Sequence, residues 1–206
     1  MQIVLLAAGL SSRMGKTNKM LIPFNGMSLV CNCCMKALKT LEKLNEKSRL
    51  VVVTGYRSLS VEKTLKECKA FIETTHASIE MIIVKNRDYR NGQFSSVKTG
   101  LRETEDGKPF FIALGDMPLI NEENYTSLIP LLEKHDAVRP FCNGQPGHPV
   151  LFSSSMKETI LSYPDSFSVN AILKSHDVIE TETHSNSTVL DIDTPQDLYL
   201  THAQEN

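Results

Sequence analysis

Short apolar runs alternate with helix-like stretches from one end of this 206-residue chain to the other. The clearest runs are residues 2–8, 50–53, 79–84 and 109–114. Nearly continuous apolar runs of this length are expected for strands buried on both faces. Residues 28–45 have apolar side chains at helical spacing, and Ser28 is their predicted N-cap. This order predicts a mostly parallel sheet with helices on both of its faces.

The rest of the chain continues the same alternation. Further helices are predicted over 60–72, 93–103, 122–134, 154–162, 168–175 and 195–203. Further strands are predicted over 136–139, 148–152, 177–182 and 187–191. The sequence has no internal repeat and no linker, so residues 1–206 are expected to form a single domain.

Composition and charge exclude several classes of protein. Twenty-two basic and 24 acidic residues leave a net charge of −2, which argues against nonspecific nucleic-acid binding. The sequence lacks the run of ~20 apolar residues that a transmembrane helix needs. Five cysteines, three of them within 31–34, do not make a disulfide framework, so a reduced, cytoplasmic protein is expected. The 31–34 cluster is interpreted either as one buried helix face or as a soft-metal site.

The segment after the first predicted strand has the composition of a phosphate-binding loop. Residues 6–15 read Leu-Ala-Ala-Gly-Leu-Ser-Ser-Arg-Met-Gly, and Lys19 follows. Small residues let the backbone approach a ligand closely, and Arg13 and Lys19 can neutralise a triphosphate. Neither the dinucleotide fingerprint nor the P-loop pattern is present. The simpler interpretation is a surface loop with solvated basic side chains.

Two aspartates stand where a hard cation could be held. Asp116 follows the predicted strand 109–114 in a Gly-Asp-Met-Pro turn, and Mg²⁺ prefers such oxygen ligands. Asp193 lies in Asp-Ile-Asp-Thr-Pro near the end of the sequence. Each has a simpler interpretation, because an aspartate before Thr-Pro or in a tight turn can merely cap a helix.

Two further segments carry polar residues at predicted element ends. Residues 91–100 read Asn-Gly-Gln-Phe-Ser-Ser-Val-Lys-Thr-Gly, where Ser95 or Ser96 stands at a helix start. From the residues alone, this is equally well a plain N-cap. Residues 144–152 contain a Gly-rich turn and then Gly-His-Pro-Val-Leu-Phe, in which His148 is either structural or a ligand contact.

Taken in order, these motifs resemble the MobA-like nucleotidyltransferases, on the N-terminal Leu-Ala-Ala-Gly-x-Ser-x-Arg-Met-Gly above all. That group includes molybdopterin guanylyltransferases and molybdenum cofactor cytidylyltransferases of the MocA type. The resemblance extends from residue 6 to residue 198. It implies a three-layer α/β/α Rossmann-like sandwich of the nucleotide-diphospho-sugar transferase type, with a mostly parallel mixed sheet that binds NTP over the strand ends.

The resemblance also implies roles for individual residues. Asp116 and Asp193 correspond to the metal ligands, Asp191 has a supporting role, and His148 lies beside the acceptor substrate. Arg13, Lys19 and Asp116 carry the catalysis. The nucleotide-binding positions are Leu6, Ala8, Gly9, Arg13, Lys19, Gly92, Ser95 and Ser96.

The implied reaction transfers CMP from CTP to the phosphate of a molybdopterin-type cofactor, with Mg²⁺ as cofactor and pyrophosphate as product. A recipient molybdoenzyme is a further implied partner, whereas nucleic acid and membrane are not. The 91–100 segment and the 144–152 segment favour CTP. The three residues between Gly15 and Lys19 instead match many guanylyltransferases and leave Lys16 as a second phosphate contact. Transfer to another small phosphate acceptor, or a non-catalytic carrier of the cofactor, would also account for these motifs.

Overall fold

A computed structural model describes residues 1–14, 17–183, 185–194 and 196–198 of the chain. The strands are β1 (Gln2–Ala7), β2 (Pro23–Phe24), β3 (Met27–Ser28), β4 (Ser48–Thr54), β5 (Ile79–Lys85), β6 (Phe110–Leu114), β7 (Ala137–Cys142), β8 (Gln145–Pro146), β9 (Val150–Phe152) and β10 (Val178–Glu182). The helices are α1 (Leu29–Lys43), α2 (Ser58–Thr75), α3 (Gln93–Leu101), α4 (Glu122–Thr126), α5 (Ile129–Leu132), α6 (Met156–Ser162) and α7 (Val169–Leu173).

Eight strands form one mixed sheet in the order β10-β7-β9-β6-β1-β4-β5, with β8 paired to β7. Neighbours β5, β4, β1 and β6 are parallel, and β10 is parallel to β7. Only β8 and β9 run antiparallel to their partners in this sheet. Strands β2 and β3 make a separate small hairpin. The predicted mostly parallel mixed sheet is confirmed.

Alternate side chains of β1 point into two different hydrophobic layers. Ile3 and Leu5 pack with residues of α1, α2 and α4 on one face. Val4 and Leu6 pack with residues of α3, α6 and α7 on the other face. Because successive residues of a strand face opposite sides, a strand that is apolar throughout needs helices on both sides. The three-layer α/β/α sandwich is therefore confirmed.

Helix α3 lies unusually close to the sheet. A Cβ atom at Gly100 would stand 2.3 Å from Val4 Cγ1 and 2.9 Å from Val53 Cγ2, so a side chain there has no room. This contact brings the N-terminal end of α3 to the carboxyl ends of the central strands. Polar residues of segment 86–96, which includes the first turn of α3, and of the β1 loop consequently meet at one edge of the sheet.

Several predicted elements were wrong in extent or kind. The helix predicted over 122–134 is divided into α4 and α5, with Pro130 in the first turn of α5. The strand predicted over 187–191 is wrong, because residues Asn186–Thr188 form a 3-10 turn. The β2–β3 hairpin was not predicted. Ser28 does cap α1, since its Oγ accepts from the Cys31 N–H at 3.4 Å.

Of the helix predicted over 195–203, residues 196–198 are helical, and 195 and 199–203 lie outside the described residues. Within the described part of the chain, none of the helices has both the length and the apolar character needed to cross a membrane. The cysteine cluster of 31–34 lies on α1, where Cys31, Cys33 and Cys34 are buried free thiols.

Candidate functional site

The candidate site lies where β1 and β6 end side by side. These strands pair in parallel, with Leu6 opposite Leu114, and the Gly115 N–H continues the ladder by donating to the Leu6 carbonyl at 2.9 Å. Ligands of such sheets bind beyond the carboxyl ends of the strands. The loop that begins at residue 8 and the turn that holds Asp116 therefore face the same space.

Lys19 reaches this space from a rigid turn. It starts a 3-10 turn whose N-cap is Asn18, and the Asn18 side chain accepts from the Met20 N–H at 3.0 Å. The Asn18 amide also donates to the Tyr56 carbonyl at 3.0 Å, and the Lys19 N–H donates to Ser11 Oγ at 3.1 Å. These bonds hold the backbone of the turn, and the Lys19 side chain is 8% exposed.

The Lys19 ammonium group lies between two carboxylates. It contacts Asp116 Oδ2, and it donates to Asp193 Oδ1 at 2.7 Å. Burial lowers the pKa of Lys19, but the negative charges of Asp116 and Asp193 outweigh that effect and raise it overall. Lys19 is therefore a permanent cation at this position.

Arg13 contacts the other oxygen of Asp193, Oδ2. Unlike Lys19, the Arg13 side chain is 69% exposed, so it extends from the loop toward solvent. The sequence predicted that both cations meet a triphosphate. In this structure they neutralise the carboxylates.

Three carboxylates converge around Lys19. One ligand oxygen each of Asp116, Asp191 and Asp193 lies within 4.8 Å of the other two. Asp116 Oδ1 is buried, and it has no hydrogen-bond partner among the described residues. Clustered carboxylate oxygens, one of them unpaired, are suitable ligands for a hard divalent cation such as Mg²⁺. The residues present therefore fit such an ion.

Asp191 belongs to this group more closely than the sequence indicated. Desolvation of its carboxyl, together with the charges of Asp193 and Asp116, raises the pKa of Asp191. The spacing Asp-x-Asp carried the signal, because side chains two residues apart in an extended segment share a face.

Asp193 does not serve as the helix cap that its sequence position allows. The N–H groups of Asp193 and Thr194 both donate to Asp197 Oδ2, at 3.0 and 2.6 Å. The Asp197 N–H in turn donates to Thr194 Oγ1 at 3.3 Å. Since Thr194 and Asp197 satisfy this turn between them, the Asp193 carboxylate is left to face Lys19 and Arg13.

A cavity of about 300 Å³, the main cavity of the site, adjoins the charged cluster. Its lining contains seven of the predicted site residues, which are Leu6, Ala8, Gly9, Lys19, Gly92, Ser96 and Asp116. It also contains residues that the sequence did not single out, which are Leu10, Met20, Tyr89, Arg90, Gln93 and Leu114. Three of these six residues come from the 3-10 turn Tyr89–Asn91 and the start of α3, whose position depends on tertiary packing.

Two smaller cavities lie beside it. One, of about 170 Å³, is lined by residues 9–13 with Lys19 and Asp193. The other, of about 80 Å³, includes His148, Asn170 and Gln93, and Gln93 also lines the main cavity. Three adjoining cavities thus follow the edge of the sheet. Lys19 and Asp116 line the middle cavity, and Arg13 and Asp193 line the cavity at one end.

His148 lies on the segment that leads into β9. Its backbone N–H donates to the Thr188 carbonyl at 2.8 Å, and its ring Nδ1 lies 3.4 Å from the Ile112 carbonyl oxygen. Burial lowers the pKa of His148, so the ring is neutral at physiological pH. A neutral ring that gives its Nδ1 hydrogen to Ile112 has Nε2 left as an acceptor.

Ser95 and Ser96 differ in position although they are adjacent. Ser96 lines the main cavity, whereas the Ser95 hydroxyl is turned inward and donates to the Gly92 carbonyl at 2.8 Å. The other predicted contact, Lys16, lies outside the described residues together with Gly15.

Known proteins resemble this chain over most of its length. A model of the MobA-like NTP transferase domain matches residues 3–180. The molybdenum cofactor cytidylyltransferase of Escherichia coli (strain K12) is 29% identical over 194 residues, which cover 94% of this chain and 91% of that protein.

Solved structures share the fold at lower identity. A nucleotidyl transferase from Methanothermobacter thermautotrophicus superposes with a TM-score of 0.78 at 18% identity, over 99% of this chain and 96% of the other. A manganese complex of a Mycobacterium tuberculosis H37Rv protein gives a TM-score of 0.67 at 18% identity, over 100% of this chain and 98% of the other.

Proposed function

This chain belongs to the MobA-like NTP transferase family, and we propose that it transfers CMP from CTP to the phosphate of a molybdopterin-type cofactor. The observation that carries the proposal is the position of Lys19 between Asp116 and Asp193, at the mouth of the 300 Å³ cavity. That arrangement provides charge of both signs next to a space large enough for a nucleoside. The cytidylyl and molybdopterin assignments draw on the curated relative, which is a molybdenum cofactor cytidylyltransferase.

The nucleotide is placed along the edge of the sheet. The nucleoside occupies the main cavity, where Ala8 and Gly9 leave the β1 loop open and Ser96 faces the base. The triphosphate then runs past Lys19 into the cavity of residues 9–13, where Arg13 meets its far end. The positive charges of Lys19 and Arg13 at this point would stabilise the charge that grows on the leaving pyrophosphate.

Asp116 and Asp193 would hold a divalent cation, with Asp191 beside them. When bound, Mg²⁺ supplies positive charge against the α-phosphate oxygens and fixes their direction. The manganese bound by a structural neighbour supports a divalent ion in this fold. Binding requires Lys19 to leave the carboxylates, and the α- and β-phosphates are the anions that would receive it.

The acceptor approaches from the His148 cavity. An oxygen of its phosphate attacks the α-phosphorus, a new P–O bond forms, and the bond to the pyrophosphate oxygen breaks. No general base is needed, because a phosphate monoester is already anionic near neutral pH (second pKa ~6). Gln93, which lines both cavities, is placed to contact the two substrates where they meet.

Pyrophosphate release tests this proposal. The protein is incubated with Mg²⁺, a molybdopterin-type cofactor and each of the four NTPs in turn, and pyrophosphate is measured with and without the acceptor. We expect release with CTP that depends on the acceptor. Release without an acceptor would indicate a hydrolase, and no release with any NTP would indicate a carrier.

A GTP-dependent guanylyltransferase is the second candidate. The observation in its favour is the three-residue spacing between Gly15 and Lys19, which is common in guanylyltransferases of this family. In the same assay it predicts release with GTP and little with CTP.

A further inference from the structure

The loop between β5 and α3 is closed by one buried amide. Asn86 is 2% exposed and directly follows β5. Its Oδ1 accepts from the Asp88 N–H at 2.9 Å. Its Nδ2 lies 2.8 Å from Ser95 Oγ and 2.9 Å from Ser96 Oγ. One side chain therefore joins the start of the loop to the first turn of α3.

The direction of every hydrogen bond in this group follows from the Asp88 N–H. A backbone N–H can only donate, so the atom that faces it must be the amide oxygen of Asn86. The amide nitrogen then faces both serines, and because that nitrogen only donates, both hydroxyls must accept. The Asp88 N–H thus fixes which end of the Asn86 amide is the oxygen and which is the nitrogen.

The two hydroxyl hydrogens are left with different partners. The Ser95 hydrogen is directed to the carbonyl of Gly92 at 2.8 Å or of Asp88 at 3.0 Å. For the Ser96 hydrogen, the described residues offer no acceptor in hydrogen-bond range. Ser96 lines the main cavity, so its hydrogen is available to whatever occupies that cavity.

We propose that Asn86 is a positioning residue that makes the Ser96 hydroxyl a hydrogen-bond donor toward an acceptor atom on the base of the bound nucleotide. This inference rests on the proposed function, because it takes the main cavity to be the nucleoside site. Asn86 itself does not line the cavity and acts only through Ser96. Cytosine offers such acceptors at its ring N3 and its 2-oxygen, so the arrangement is suited to CTP.

Exchange of the amide for a carboxylate reverses the polarity of Ser96. In Asn86→Asp, one oxygen still accepts from the Asp88 N–H, while the other accepts from the serine hydroxyls instead of donating to them. The Ser96 hydrogen is then taken up inside the loop, and its oxygen lone pairs face the cavity. The shape of the site is kept, and only the direction of one hydrogen bond changes.

The experiment is a double-mutant cycle on nucleotide affinity. Calorimetry with Mg²⁺ measures Kd for wild type, Ser96→Ala, Asn86→Asp and the double variant, using the NTP that binds wild type most tightly. Inorganic tripolyphosphate is titrated in parallel, because it reports the effect of the added charge without a base. Each result is expressed as the affinity for the NTP divided by the affinity for tripolyphosphate.

In wild type, Ser96→Ala should lower this ratio about two- to tenfold, the effect of one lost hydrogen bond. Asn86→Asp should lower it by at least as much, and Ser96→Ala should then cost nothing more. Equal losses from Ser96→Ala in both backgrounds would overturn the proposal, as would a ratio that Ser96→Ala leaves unchanged. If wild type binds no NTP, the proposed function fails and the inference fails with it. If wild type binds an NTP tightly but Ser96→Ala and Asn86→Asp act independently, this inference is wrong and the proposed function is unaffected.

A second measurement covers an Asn86→Asp variant that does not fold, as judged by thermal unfolding. Wild type and Ser96→Ala are titrated with analogues of the same nucleotide that lack one base acceptor at a time. For one analogue the penalty of Ser96→Ala should disappear, because the partner atom is gone. A full penalty with every analogue would overturn the proposal.

Discussion

The backbone N–H of Ile192 donates a hydrogen bond of 2.9 Å to the carbonyl oxygen of Asp116. The Ile192 side chain is also buried, in a small cluster with Phe24 and Leu29. With its backbone and side chain both held, Ile192 places its two neighbours, Asp191 and Asp193, beside Asp116. This main-chain contact thus helps to assemble a cluster of carboxylates from segments 75 or more positions apart in sequence.

We predict that Asp116→Asn and Asp193→Asn fold normally but lose most activity and need more Mg²⁺ to regain any of it. The amide keeps the shape of the carboxyl but not the negative charge that Mg²⁺ requires. Asp191→Asn should have a milder effect, since Asp191 is exposed and the two carboxylates that contact Lys19 both remain. The measurement is pyrophosphate release as a function of Mg²⁺, with thermal unfolding as the test of folding.

A helix-cap role for Asp193 makes the opposite prediction. Asparagine caps helices about as well as aspartate, so a cap would tolerate the change. Wild-type rate and Mg²⁺ dependence in Asp193→Asn would therefore remove Asp193 from the metal site and leave Asp116 and Asp191.

Lys19→Met should destabilise the protein in the presence of a chelator and respond to divalent ions more strongly than wild type does. Removing one partner of a buried ion pair leaves the other charge uncompensated, which costs about 3 kcal/mol or more. A divalent ion can replace the lost ammonium charge between Asp116 and Asp193. Thermal unfolding of both proteins, in EDTA and in Mn²⁺, measures the difference. Equal unfolding temperatures in EDTA would show that Lys19 does not stabilise the carboxylates.

Arg13→Ala should lower the rate about 100- to 1000-fold, the usual effect of losing one charge stabiliser in the transition state. Its stability should be unchanged, because an ion pair as exposed as Arg13–Asp193 contributes little to folding. Arg102→Ala is the matched control, since Arg102 is exposed at the end of α3 and away from the cavities. A strongly destabilised Arg13→Ala with full activity per folded molecule would make Arg13 structural.

The sequence predicted those features of the fold and site that are local. Apolar runs identified the central strands, and the residues just after them include Gly9, Arg13 and Asp116. A polar residue that directly follows a buried strand of a parallel sheet must lie at the ligand-binding edge. This rule requires no knowledge of how distant segments pack.

The features that the sequence did not predict depend on distant contacts. Whether Lys19 would meet phosphate or carboxylate could not be read from its neighbours, because Asp193 is 174 positions away. Ser95 and Ser96 are the same residue type in adjacent positions, and only the Asn86 amide and the direction of α3 separate their roles. The strand predicted over 187–191 is wrong for a similar reason, since Ser187 and Thr188 are buried in a 3-10 turn, while Val189 and Leu190 are only partly buried.

The buried thiols should react very slowly with a thiol reagent in the native state. The contact with Cys31 lowers the pKa of Cys68, but the contact with Cys34 and burial outweigh it and raise that pKa to about 12. At pH 8 almost all of Cys68 is then in the thiol form, and the thiolate is the reactive form. Ellman's reagent should titrate almost no thiol in native protein and five in denaturant. Rapid native reaction of a thiol of α1 or α2 would show that these helices open readily.

CTP should bind more tightly than GTP. The main cavity is lined by Leu6, Ala8 and Ser96, and its polar groups include Gln93 and the Ser96 hydroxyl. A base that leaves such groups unpaired loses affinity strongly, because buried polar groups without partners are costly. Calorimetry with Mg²⁺ and each NTP measures the preference, and the Ser96→Ala variant shows whether it originates at the base. If GTP binds as tightly as CTP or more so, the cytidylyl assignment is wrong. The family membership would remain, and the three-residue spacing before Lys19 would then be the better guide to the nucleotide.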